Sequence, residues 1–89
     1  MIEVGDFKYE LIENNRDAFN KEELIHLYTD YFEDYDYIIG DYAYSKLRLK
    51  GFYEDTNKKS KKINKISKKD EYIKNNCAYN CKYFIIKKI

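Results

Sequence analysis

The sequence predicts a single small α+β domain over residues 1–89, with a mainly antiparallel four-stranded sheet and two helices in the order β-α-β-β-α-β. Two observations lead there. Apolar residues alternate with charged ones in two stretches, recur at helical spacing in another, and gather into short unbroken runs at residues 37–39 and 83–86. The chain is also only 89 residues long, with 44% hydrophobic residues, which allows one domain and argues against disorder.

Each element has its own local signal. Phe7, Tyr9 and Leu11 alternate with Lys8 and Glu10, as in a half-buried first strand. Asn20 and Glu23 have the spacing of a helix N-cap and its reciprocal acid, and Phe19 and Leu24 fit the hydrophobic staple around them. Leu24, Tyr28, Tyr31 and Tyr35, with Ile25 and Phe32, then recur at helical spacing, so a helix is expected over roughly 20–33, ended by Asp34 to Asp36. Tyr37-Ile38-Ile39 reads as a buried strand and 40–45 as a loop. Leu47, Leu49, Gly51 and Tyr53 alternate with Arg48 and Lys50, so the first set faces the core and the two cations face away. Ser67 and Asp70 open a second helix at about 68–76 with Tyr72 and Ile73 buried, and Tyr83-Phe84-Ile85-Ile86 suits a central strand. The helices are expected on one sheet face, with a ferredoxin-like connection.

The net charge of +1 hides two opposed blocks. Residues 1–45 carry twelve acids against three basic residues, a net of −9; residues 46–89 carry fourteen basic against four acidic residues, a net of +10. The basic block includes a Lys-rich stretch at 57–69, expected to be a solvated, mobile loop. Its Lys58, Lys59, Lys61, Lys62, Lys65, Lys68 and Lys69 could track the phosphates of an RNA. No run approaches the roughly 18 apolar residues of a membrane span, and the N-terminus lacks the basic and apolar regions of a signal peptide. A cytoplasmic location is therefore expected, with no membrane partner.

Little here points to catalysis. His26 has no neighbouring nucleophile or carboxylate motif and reads as a surface residue. The three glycines are isolated, so there is no phosphate loop, and no cofactor or metal is implied. Cys77 and Cys81 are candidates for a thiol or zinc switch, but two sulfurs fall short of the four ligands of structural zinc. Small core thiols are the simpler reading. Lys50-Gly51-Phe52 matches the start of an RNA-recognition strand signature, then departs from it at Tyr53-Glu54-Asp55-Thr56.

Two blocks carry a resemblance. Asp36-Tyr37-Ile38-Ile39-Gly40-Asp41 runs through Tyr44 into Leu47-Arg48-Leu49-Lys50-Gly51-Phe52-Tyr53. Downstream stand Ile66, Asp70-Glu71-Tyr72-Ile73 and Cys77-Ala78-Tyr79-Asn80-Cys81-Lys82-Tyr83-Phe84. In both blocks and their order the chain resembles the YutD-like family, small bacterial proteins of uncharacterised activity. The resemblance is weakest over 54–65, and the chain departs from it at 58–69, where the family lacks so heavy a lysine run. It implies no catalytic residue. It favours Asp41, Arg48, Lys50 and Phe52, with Tyr42 and Tyr44 beside them, as the surface of a non-catalytic binding or adaptor module. The partner expected is a protein, with RNA and a homodimer as alternatives. The competing reading is a central strand at 47–53, covered on both sides, with Arg48 and Lys50 paired to the acidic half.

Overall fold

The computed structural model describes residues 1–43, 45–76 and 82–89. Its strands are β1 (Ile2–Val4), β2 (Phe7–Asn15), β3 (Tyr37–Ala43), β4 (Lys46–Phe52) and β5 (Tyr83–Lys88). Helix α1 (Lys21–Leu27) lies between β2 and β3, and α2 (Lys69–Asn76) between β4 and β5. The sheet has five strands, not four, in the order β1-β2-β5-β3-β4, and every neighbouring pair is antiparallel.

The additional strand is the short N-terminal β1. Gly5, with φ 58, permits the tight turn that folds Ile2 and Val4 back onto Tyr9 and Phe7. Three residues are too few for alternation to register as a strand in the sequence. The topology is not ferredoxin-like either. That arrangement places parallel strands side by side, whereas here the last strand, β5, is inserted between β2 and β3 with both contacts antiparallel.

The sheet buries both faces, which explains the unbroken apolar runs in β3 and β5. Ile38, Phe84 and Ile86 join Tyr9 and Leu24 on one face, with Leu47 and Leu49 packed alongside. Tyr37, Ile39, Phe52 and Ile85 form the other, covered by Ile66, Tyr72 and Ile73. Leu24 belongs to α1, whereas Tyr72 and Ile73 belong to α2, so the helices cover opposite faces.

The expected helix over 20–33 divides in two. Asn20 caps α1 as its sequence signal requires, its side chain accepting from the Glu23 amide at 3.1 Å. The helix stops at Leu27 because Tyr28 turns extended and its hydroxyl meets that of buried Tyr9 at 2.8 Å. A separate 3-10 turn, Asp30–Asp34, follows. Helical spacing cannot distinguish one helix from two short turns that serve the same face. The expected loop at 40–45 is mostly strand, since β3 continues to Ala43. No helix among the described residues is long and apolar enough to cross a membrane.

Candidate functional site

The β3–β4 hairpin sets the geometry. Its register pairs Asp41 with Arg48, Ile39 with Lys50 and Tyr37 with Phe52, all on the face covered by α2. Asp41 is 1% exposed, and Arg48 Nη2 reaches its Oδ2 at 2.5 Å. The Tyr72 hydroxyl donates to Oδ1 of the same carboxylate at 3.3 Å. Hydrogen bonding to Asp41 holds the Arg48 guanidinium further above its ordinary value. Lys50 Nζ stands 5.8 Å from the Phe52 ring centroid. Phe52 itself is buried and meets Tyr72 edge to face, with ring centroids 5.4 Å apart.

Four of the residues singled out by sequence therefore share one face, and Asp41 and Phe52 are packed inside it. Tyr42 points to the opposite face, where its hydroxyl donates to Glu23 and Lys82 Nζ lies 4.5 Å from its ring. Tyr44, Cys77 and Cys81 lie outside the described residues. Tyr72 is the member that sequence reasoning passed over as a site residue. Helical spacing marked it as buried, but nothing local signals that its hydroxyl reaches a carboxylate on β3.

Strand order adds a feature absent from the sequence. β4 lies at the edge of the sheet, not at its centre. The Tyr53 N–H donates to the Asn64 carbonyl at 2.8 Å, and its C=O accepts from the Ile66 N–H at 2.9 Å, both away from β3. Backbone groups alternate in direction along a strand, so those of Leu47 and Leu49 point the same way. Tyr42 agrees with this phase, its N–H turning toward β5 to reach the Lys82 carbonyl at 3.2 Å. Among the described residues, none supplies a backbone partner to the outward groups of Leu47 and Leu49.

Two clefts flank this edge. On the α2 side, a space of about 540 Å³ is lined by Lys50, Lys62, Lys68, Ile63 and Tyr72. On the α1 side, about 590 Å³ is lined by Leu47, Leu27, His26, Glu22 and Lys46. His26 is exposed, as expected. Among the described residues, no group of three or more His, Cys, Asp or Glu is placed to hold a metal ion.

The Lys-rich stretch is fastened to the acidic half at several points. Lys59 Nζ pairs with Asp34 at 2.5 Å and Lys69 Nζ with Glu13 at 2.8 Å. The Asn57 side chain donates to Asp36 at 3.0 Å. Lys59 and a hydrogen bond from Tyr53 hold the Asp34 carboxyl below the usual carboxylate range. Lys50, Lys62 and Lys68 have no carboxylate within ion-pair distance among the described residues.

A family model described as "Putative antitoxin YutD-like" matches residues 3–87. The chain belongs to the YutD-like family. It is 45% identical to the protein named "Putative antitoxin YutD" from Bacillus subtilis (strain 168) over 89 residues, all of this chain and 98% of that one. The solution NMR structure of protein yutD from B. subtilis superposes with a TM-score of 0.81 at 42% identity, covering all of this chain and 82% of that chain. Every residue named above for the candidate site falls within the span matched to the YutD-like family, and the β-edge is built by the block that carried the resemblance.

The tyrosines give this YutD-like chain a pH signature. Tyr37 is pushed up to about 12 by burial and its bond to Glu54, and Tyr72 up to about 12 by burial and the nearby Asp41 charge. Tyr9, by burial, and Tyr53, by its bond to Asp34, also lie above their ordinary value. Each ionises later folded than unfolded, where the value is about 10. For Tyr37 and Tyr72 the stabilisation is complete below pH ~10 and lost as pH rises through about 12, and Tyr9 and Tyr53 follow at higher pH. Tyrosinate absorbance of these rings is expected to rise together with loss of circular dichroism. Complete ionisation near pH 10 with the fold intact would contradict it.

Proposed function

We propose that this chain is a non-catalytic binding module that engages a protein partner, in the manner of an antitoxin, along the outer edge of β4. The observation that carries the reading is the pair of outward backbone groups at Leu47 and Leu49, flanked by two clefts. An extended partner segment satisfies such an edge through main-chain hydrogen bonds and gains selectivity through alternate side chains. Asp41, Arg48 and Tyr72 brace the strand that presents the edge. The name of the B. subtilis relative supports a protein partner, since an antitoxin acts on a toxin.

The test is affinity capture from a Bacillus lysate, with and without nuclease. A protein retained in stoichiometric amount after nuclease and moderate salt is the expected result. Nucleic acid that co-purifies and leaves with nuclease or salt, with no protein retained, would overturn the reading in favour of RNA at the lysines.

A further inference from the structure

The two clefts beside β4 differ in chemistry, and together they specify what fits between them. Strand pairing along Leu47 and Leu49 would send an incoming strand's side chains alternately to the two faces of the sheet. On the α2 face they would meet Lys50, Lys62 and Lys68, three ammonium groups around one cleft against the single carboxylate of Glu71. On the α1 face they would meet Leu47 and Leu27, the latter 38% exposed in this structure, in a cleft whose rim also carries Glu22, Glu23, His26 and Lys46.

We propose that the outer edge of β4 receives an amphipathic extended strand from a partner protein, with acidic side chains toward Lys50, Lys62 and Lys68 and apolar side chains toward Leu27 and Leu47. This deepens, and rests on, the reading of the chain as a protein-binding module. The site is short. It is closed at one end by the Asn64–Ile66 segment that bonds Tyr53, and at the other the strand begins at Lys46. Side-chain complementarity must therefore supply what few backbone bonds do not.

A second copy of the chain does not suit this edge. Antiparallel self-pairing about Arg48 sets Arg48 against Arg48 and Lys46 against Lys50 of the other copy. Shifting the centre to Leu49 sets Arg48 against Lys50. Like charges directly opposite one another in a sheet are unfavourable. Cations on an exposed edge repel basic and identical edges, as natural sheets use them to do, while attracting an acidic strand.

The probe is a short peptide alternating valine and glutamate, compared with one alternating valine and lysine. Titration calorimetry is expected to show the glutamate peptide binding at least tenfold tighter, with affinity falling as salt rises. Amide exchange should slow at Leu47 and Leu49. The double substitution Lys50→Glu with Lys68→Glu is expected to weaken the glutamate peptide at least tenfold while the variant keeps the native circular dichroism spectrum. Leu49→Pro removes one outward N–H and should do the same if the variant folds; the lysine pair keeps the test decisive if it does not.

Equal affinity for both peptides, no binding of either, or protection elsewhere than Leu47 and Leu49 would overturn the proposal. So would displacement of the glutamate peptide by an oligouridylate, which would make the cleft a nucleic-acid site. If a lysate protein is retained equally by the native chain and by the doubly substituted one, the protein-binding reading stands and this edge is not where it acts.

Discussion

Phe52→Ala is expected to cost about 3–5 kcal/mol of folding stability, because the ring is wholly buried and the space it leaves cannot close. Its neighbours are fixed from three directions: Tyr37 and Ile39 on β3, Ile85 on β5, and Tyr72 on α2. A chain of 89 residues has roughly 4–13 kcal/mol of total stability, at about 0.05–0.15 per residue. The loss would therefore lower the thermal midpoint by more than about 10 °C. Lys50→Ala, two residues away on the same face, is the informative comparison. Its ammonium contributes only a contact at 5.8 Å to the Phe52 ring, so removing it should cost no more than about 1 kcal/mol. Thermal or urea unfolding separates the two readings of Phe52. A Phe52→Ala protein that unfolds like the native one would mean that the ring acts on a partner and not within the core.

The case of Phe52 also marks where sequence reasoning stopped. Period-2 alternation correctly set Leu47, Leu49 and Gly51 on one face and Arg48, Lys50 and Phe52 on the other. It could not say that the second face is covered, because that depends on α2 crossing to the side opposite α1. The same gap left a central strand at 47–53 open as the competing reading. Edge or centre is a property of strand order, and strand order depends on where β5, more than 30 residues downstream, inserts. Local signals fared better where the chemistry is local. The Asn20 cap is present as its spacing demands. The opposed charge blocks do meet, but through pairs such as Glu13 with Lys69 and Asp34 with Lys59, whose separations in sequence leave no periodic trace. What distinguishes the α2-side cleft is that three lysines without an ion pair among the described residues, Lys50, Lys62 and Lys68, line it together with one carboxylate, Glu71.

Gly40→Ala has the second large expected effect, and its sign is the useful part. Gly40 does not hold a left-handed conformation, so on backbone grounds alone alanine should stabilise the strand by about 0.4–1 kcal/mol, through a less flexible unfolded chain. Packing opposes this. A Cβ at position 40 would stand 2.3 Å from Phe84 Cζ and 2.5 Å from Cε2, far inside contact distance. The Phe84 ring cannot swing away easily, since it is fully buried in β5 and packs edge to face on Phe19 with centroids 5.2 Å apart. Overpacking of this kind costs about 1–3 kcal/mol, occasionally more, so the net effect is expected to be destabilising. Gly51→Ala presents a similar collision, with Tyr35 Cγ at 2.2 Å. The atoms met there are the root of the Tyr35 ring, which is also stacked on Tyr53 with centroids 4.7 Å apart and bonded through its hydroxyl to Tyr31, so Gly51→Ala is expected to be destabilising as well. Combining Gly40→Ala with Phe84→Leu tests the cause. If the methyl–ring collision dominates, the double variant loses less stability in urea unfolding than the two single losses added together, because the shortened side chain opens the space the new methyl needs. Additive losses, or a Gly40→Ala variant more stable than the native chain, would show that the ring over Gly40 is not what excludes a side chain from the centre of β3.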